Sequence, residues 1–166
     1  MTSFPGNEIQ VRRASLAHLD TIVAFNAAMA KETEDKELRE RDLRPGVEAV
    51  LTRNDLGFYL VAEHMGRQVG QLLITYEWSD WRNAFFWWIQ SVYVAPDYRR
   101  MGVYKSLHIY TAVEARRQGN VCGLRLYVDK DNEIAQGVYK GLRMQETHYD
   151  MYEIEFELDP ERDDAV

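Results

Sequence analysis

Hydrophobic and polar positions along the chain change period several times, and each change marks an element. Ile9 and Val11 alternate with Gln10 and Arg12, which predicts a short strand over residues 8–14. Ser15 stands where a helix cap belongs, and Leu16, Leu19, Val23, Ala27 and Ala30 then recur at helical spacing. That stripe fades within the charged run 31–37. Pro45 is expected to open a second short helix over 46–52, with Val47, Val50 and Leu51 toward the core, and Asn54-Asp55-Leu56-Gly57 to break it. Residues 58–63 are apolar and rich in strand formers, and His64-Met65-Gly66-Arg67 reads as a hairpin connection to a strand over 68–78. After an indole-dense turn, residues 84–94 form the most apolar run, expected as the central strand. A helix over 103–118 carries Val103, Leu107, Tyr110 and Val113 on one face and stops at Gly119-Asn120. A strand over 121–128 and a helix bearing Asn132, Ala135 and Tyr139 follow. The cleanest period-two pattern comes last: Tyr152, Ile154, Phe156 and Leu158 alternate with Glu153, Glu155 and Glu157, predicting a strand whose acidic face protects an edge. Residues 1–7 are expected as a loose terminus. The order defines an α/β domain with a mixed sheet.

Between the central strand and the 103–118 helix lies Ala95-Pro96-Asp97-Tyr98-Arg99-Arg100-Met101-Gly102. A basic, glycine-bearing turn entering a helix is an anion site. The first backbone N–H groups of the helix have no internal partner, and the helix dipole adds roughly half a positive charge. The expected ligand carries phosphate. Gly102-Val103-Tyr104-Lys105-Ser106 lacks the adjacent Gly-Lys-Ser of a nucleotide P-loop.

Composition narrows the partners. The 166 residues amount to one domain, expected as residues 1–166 with a core of about 8–158. A net charge of -7 argues against nucleic acid and favours cationic small substrates. The one cysteine, Cys122, excludes an internal disulfide and is expected as a core thiol. No apolar leader or membrane span is visible, so a cytoplasmic protein is expected. The four histidines have no metal-ligand spacing, and no metal is expected. Four tryptophans fall at 78, 81, 87 and 88. Core packing is the simplest use of Trp87 and Trp88, on opposite faces of one strand, while Trp78 and Trp81 could wall a pocket for a cation.

Arg99-Arg100-Met101-Gly102-Val103-Tyr104 resembles the Arg/Gln-x-x-Gly-x-Gly/Ala motif of the GNAT superfamily of N-acetyltransferases. About thirty residues on, Asn132-Glu133-Ile134-Ala135-Gln136-Gly137-Val138-Tyr139 is similar to that family's Asn-x-x-Ala-x-x-x-Tyr motif. Tyr104 stands where the family has a small residue, and Arg143-Met144 where it usually has Gly-Phe. A helical Tyr104 still offers its backbone N–H, since only a left-handed conformation demands glycine.

The resemblance implies a GNAT-like fold: a central, largely antiparallel mixed sheet flanked by helices, with a V-shaped split between the fourth and fifth strands where acetyl-CoA enters. It implies backbone groups of Val92, Tyr93 and Val94 on the pantetheine and the acetyl carbonyl, an oxyanion-hole role. Arg99, Arg100, Met101, Gly102, Val103, Tyr104 and Lys105 would meet the pyrophosphate, with Asn132 and Tyr139 completing the cofactor site. Tyr139 would hydrogen-bond or protonate the departing thiolate.

The reaction implied is acetyl transfer to an amine. Freeing the lone pair of an amine of pKa ~10.4 at neutral pH costs about 4.6 kcal/mol, so a base or a proton-carrying water is needed. Many relatives place an acidic residue near the positions of Gln90 and Ser91, which are not bases. Glu77 and Asp80, with Glu32 and Glu34, are the candidate replacements. Glu32, Glu34, Trp78, Trp81 and Gln90 are the candidate acceptor contacts. A small amine (polyamine, diamine or amino-acid derivative) is the leading acceptor. A protein or peptide amine, or a non-catalytic acyl-CoA-binding module, are the alternatives. Exposed aromatics make a homodimer an expectation as well.

Overall fold

A computed structural model describes the backbone of Thr2–Ser3 and residues 9–156. The chain divides into two compact units, Met1–Tyr127 and Val128–Val166. The first holds β1 (Thr2–Ser3), β2 (Ile9–Arg13), α1 (Leu19–Glu34), α2 (Glu40–Thr52), β3 (Phe58–His64), β4 (Arg67–Ser79), β5 (Ala84–Val94), α3 (Val103–Gln118) and β6 (Val121–Arg125). Its strands make one six-stranded sheet in chain order. Every pairing is antiparallel except β5 with β6, which α3 joins as the crossover that parallel neighbours require. Met65 and Gly66, with φ of 50° and 77°, close the β3–β4 hairpin as the twist of paired strands favours.

Alternation along the strands divides the core into two layers. Ile9, Val11, Phe58, Leu60, Ala62, Leu72, Ile74, Trp87 and Ile89 pack with Val103, Leu107 and Ala115 of α3. Tyr59 and Val61 face the other way, onto Ile22 of α1 and Val47 of α2. Gly70 lets α3 lie close to the sheet: a Cβ there would stand 2.6 Å from Val103 Cγ1.

β5 contains a bulge that nothing in its composition announces. Gln71 pairs with Tyr93 and Leu73 with Gln90, so one residue of β4 faces two of β5, and Ser91 takes φ of 48°. The extra residue changes the phase of the strand. Trp87 and Ile89 point toward α3 before it; Val92 and Val94 do so after it. Tyr93 is thereby delivered to the α1 side, where its ring meets Phe25 at 4.9 Å between centroids.

The split expected between the fourth and fifth strands of the sequence reading appears between β5 and β6. Their ladder runs from Phe85↔Val121 to Trp88↔Arg125, whereas β5 continues to Val94. Beyond Trp88, no described strand pairs with that edge of β5.

Several expectations need correction. A 3-10 turn, Leu16–His18, precedes α1, and Ser15 N–H donates to His18 Nδ1 at 3.0 Å. The buried stripe of α1 is Ile22, Asn26 and Ala30, with a polar residue at its centre. The second helix starts at Glu40, not after Pro45. Proline's fixed φ is helical, and its missing N–H removes only one bond from a helix already begun by an acidic first turn and the Arg39–Asp42 ion pair. The strand expected over 121–128 ends at Arg125. Cys122 is exposed, because it lies on an edge strand on the side away from the core, and its thiol donates to Phe85 O at 3.2 Å. Of the loose terminus expected over 1–7, Thr2–Ser3 pair with β2 and the other residues lie outside those described.

In the second unit, α4 (Glu133–Gly141) is capped by Asn132, whose Oδ1 accepts from Ala135 N–H at 3.0 Å. The final strand does not form within residues 151–156: Tyr152, Ile154 and Phe156 are irregular and exposed, and the remainder of that pattern lies outside the described residues. Period two makes a segment able to be a strand, but only a neighbouring ladder makes it one.

Candidate active site

The basic turn has the geometry of an anion cradle. Ala95 N–H ties the end of β5 to Val69 O at 2.9 Å, and Pro96–Tyr98 form a 3-10 turn. Arg99 is extended, while Arg100 and Gly102 are left-handed, with φ of 66° and 81°. Ser106 N–H makes the first intrahelical bond of α3, to Gly102 O at 3.0 Å. Val103 and Lys105 precede it, so their amides lack an acceptor inside the helix. Left-handed residues leading into a helix turn successive N–H groups toward one centre, and the helix dipole adds to it. Tyr104 is helical, and Val103 is buried, anchoring the turn. Arg100, Met101 and Lys105 are exposed beside it. These residues fit a phosphate-bearing ligand.

Arg99 has other partners. Its Nη2 donates to Glu32 Oε2 at 2.6 Å and its Nε to Val94 O at 3.0 Å. Tyr93 O–H donates to the second oxygen of Glu32 at 2.8 Å. Bonds from Arg99 and then Tyr93 hold the Glu32 carboxyl below its usual range. Burial, followed by its bond to Glu32, pushes the Tyr93 hydroxyl up. Glu32 therefore latches the last turn of α1 to the far end of β5. Glu34 ends α1 in solvent.

On the α1–α2 face a cleft of about 470 Å³ is lined by Asn26, Glu37, Leu43, Val47, Tyr59 and Leu73, with Lys36, Arg39 and Asp42 among the residues at its rim. Arg39 and Asp42 are paired at 2.6 Å, so Lys36 and Glu37 are its remaining charges of opposite sign. The floor connects with the bulge: Tyr59 pairs with Leu73, and Leu73 with Gln90, in one row across β3, β4 and β5. Beneath it runs a buried chain of side-chain bonds. Gln71 Nε2 donates to Asn26 Oδ1 at 2.8 Å, and Asn26 Nδ2 donates to the Tyr59 hydroxyl at 3.1 Å. Ser91 also bonds to Tyr59, and burial still outweighs both partners and pushes the phenol up.

The candidate bases lie elsewhere. Glu77 on β4 accepts Trp88 Nε1 on one oxygen and Arg125 Nη1, at 2.6 Å, on the other. Asp80 is exposed in the β4–β5 turn and accepts Trp81 N–H at 2.9 Å. That turn and the phosphate cradle sit at opposite ends of β5, roughly 35 Å apart along an extended strand of this length. Trp81 is 89% exposed in the same turn, and Trp78 packs edge-on against Phe85. None of Glu77, Asp80, Trp78, Trp81, Glu32 or Glu34 lines the cleft. Gln90 Nε2 donates to Thr75 Oγ1, which holds it on the α1–α2 face.

In the second unit Tyr139 lies on α4, and burial raises its hydroxyl above the ordinary tyrosine range. It is thus a proton-carrying phenol at neutral pH. Asn132 spends its carbonyl oxygen on the helix cap.

Asn26 and Tyr59 went unremarked in the sequence. A polar residue inside an apolar stripe was the one available signal for Asn26. Among the described residues no group of His, Cys, Asp and Glu could hold a metal ion, and no helix is long and apolar enough to cross a membrane.

A parallel pair that parts beside an anion-binding turn is the arrangement that the resemblance led us to expect, and comparison with known proteins agrees. The model of the Acetyltransferase (GNAT) family matches residues 21–142, and the chain belongs to that family. A possible acetyltransferase from Clostridium difficile 630 superimposes with a TM-score of 0.84 at 45% identity, covering 90% of this chain and 99% of that one. A predicted acetyltransferase with acetyl-CoA from Clostridium acetobutylicum shares the fold at 18% identity, with a TM-score of 0.72 and coverage of 88% and 96%. AAC(6')-Iy in complex with the bisubstrate analog CoA-S-monomethyl-acetylneamine does so at 17% identity, with a TM-score of 0.70 and coverage of 89% and 98%. No curated protein sequence matches.

Proposed function

We propose that the chain transfers the acetyl group of acetyl-CoA to the primary amine of a small molecule bound in the α1–α2 cleft. The observation that carries this reading is the row Tyr59–Leu73–Gln90, which runs from the cleft floor to the bulge where β5 parts from β6. A cleft of about 470 Å³ has room for a small amine.

The thioester supplies an activated acyl group. Arg100, Gly102, Val103, Tyr104 and Lys105 hold its phosphates, with Met101 alongside. Arg99 acts one step back, keeping the turn on Glu32 and Val94. The unladdered edge of β5 at Val92, Tyr93 and Val94 offers backbone groups to the pantetheine and to the acetyl oxygen. The amine nitrogen bonds to the carbonyl carbon, the C–S bond breaks, and Tyr139 gives its proton to the thiolate. With Glu77 engaged twice and Asp80 in a distant turn, the amine proton leaves through water. Lys36 and Glu37 at the rim suit an amino-acid-like acceptor over a polyamine.

The test is product mass spectrometry on a panel of small amines and of peptides, each with acetyl-CoA. Efficient transfer to small amines supports the reading. Transfer to peptides alone overturns it in favour of a protein acetyltransferase, and cofactor binding with no acceptor at all favours the non-catalytic module.

A further inference from the structure

The buried chain under the cleft has a direction. Gln68 Nε2 donates to Gln71 Oε1 at 3.3 Å, Gln71 Nε2 to Asn26 Oδ1 at 2.8 Å, and Asn26 Nδ2 to the Tyr59 oxygen at 3.1 Å. Each amide accepts from the previous member and donates to the next. Three of the four are almost wholly enclosed: Gln71 is 0%, Tyr59 4% and Asn26 5% exposed. Buried amides are expensive unless bonded, and the bonds along this chain hold Gln71 and Asn26 in one arrangement, while Gln68 Oε1 at its outer end is buried without a partner among the described residues. At its end, Asn26 donates to the phenol oxygen and Ser91 bonds to it as well, both favouring the ionised phenol as donors do, so the phenolic hydrogen is left to the cleft that Tyr59 lines.

We infer that Tyr59 is a specificity-determining hydrogen-bond donor at the cleft floor, oriented by Asn26 and Gln71, and that it selects amines carrying an ether, carbonyl or carboxylate oxygen a few bonds from the nitrogen. This rests on the small-amine reading above. The spacing follows from the sheet: Tyr59 and Gln90 are two strands apart, ~10 Å between backbones, and the tyrosine side chain spans much of that gap. An oxygen in the cleft is matched by a donor already desolvated and aimed; a methylene in its place leaves that donor unpaired. A site of this kind discriminates against the analogue lacking the oxygen more sharply than an apolar pocket discriminates by size.

The experiment uses isosteric pairs, 2-methoxyethylamine with butylamine and 3-methoxypropylamine with pentylamine, with acetyl-CoA and the full chain. The wild-type enzyme is expected to prefer the oxygen-bearing member of at least one pair by about tenfold in kcat/KM. Tyr59→Phe should remove most of that preference, lowering kcat/KM for the oxygen-bearing member more than for the alkylamine. Asn26→Asp, of equal volume, replaces the amide donor with an acceptor that draws the phenolic hydrogen inward. It should likewise remove most of the preference, which a merely structural Asn26 would not do. Thermal melts with acetyl-CoA establish that each variant is folded and binds the cofactor. If Asn26→Asp fails to fold, Tyr59→Phe alone decides. Equal losses on both members of each pair, or no wild-type preference, overturn the assignment and leave a small-amine transferase standing. Failure of the wild-type chain to acetylate any small amine sinks the proposed function, and the assignment with it.

Discussion

Arg125 on β6 reaches across β5 to Glu77 on β4, with Nη1 2.6 Å from Oε1. Arg125 lies over the Phe86 ring, 3.7 Å from its centroid, and Trp88, on the last rung before β5 and β6 part, donates to the other oxygen of Glu77. Both side chains remain about one-third exposed, at 34% and 38%, so water screens them. Replacing Glu77 with Gln is expected to lower stability by no more than about 1 kcal/mol in denaturant unfolding. Turnover should stay within a few-fold. A loss of three orders of magnitude would return Glu77 to the role of base.

Tyr139→Phe removes the proposed proton donor from α4. Turnover is expected to fall about a hundredfold, within the range of a lost general acid, with acetyl-CoA affinity unchanged. Steady-state rates beside calorimetric binding check this. An unchanged rate would reduce Tyr139 to packing.

The raised Tyr139 hydroxyl also shapes the pH profile. Burial favours its protonated form, so it remains a donor up to and beyond the ordinary tyrosine value near ~10. Turnover should therefore rise with pH as the acceptor amine loses its proton, with no falling limb below about pH 10. A decline beginning near pH 8 would contradict the assignment.

His108 on α3 is buried, with no partner for Nδ1 among the described residues, and burial lowers its pKa. The unfolded chain takes up a proton there below ~6.5 while the folded chain resists it, so this contribution is complete above that pH and fades as pH falls. Tm measured from pH 7.5 to 5 should drop, and the drop should shrink in His108→Gln. Parallel curves for both chains would rule out His108 as the source.

Gly70 offers a test of packing. A methyl group there would meet Val103 Cγ1 at 2.6 Å and the Tyr93 carbonyl at 3.3 Å. Gly70→Ala is expected to cost roughly 1–3 kcal/mol by forcing α3 off the sheet. Because Val103 anchors the turn proposed to hold the phosphates, acetyl-CoA affinity should weaken together with Tm.

Local periodicity read well where the core alone decides the outcome. The helix over 103–118 was legible at both ends, since apolar spacing and a glycine at each boundary agree. So was the opposition of Trp87 and Trp88. Long-range partners were not. Glu32 and Arg99 stand sixty-seven positions apart, and charge alone cannot say that an acidic residue expected at a substrate mouth instead holds an arginine expected on a phosphate. Asn26 was overlooked because a stripe is read by its apolar members. Cys122 was misplaced because alternation does not reveal which face of an edge strand is covered.

The left-handed Ser91 has a consequence for how this chain can vary. Substitution there is a mild event: glycine adopts that φ more readily than serine, and loses only the hydroxyl beside Tyr59. Deletion is a different matter. A chain one residue shorter at this point would restore simple alternation, turn Tyr93 away from Phe25 and Glu32, and bring valines to the α1 side in its place. Length at position 91 is therefore constrained more tightly than chemistry, and a library of single-residue deletions should find there an intolerance that substitution scanning would miss.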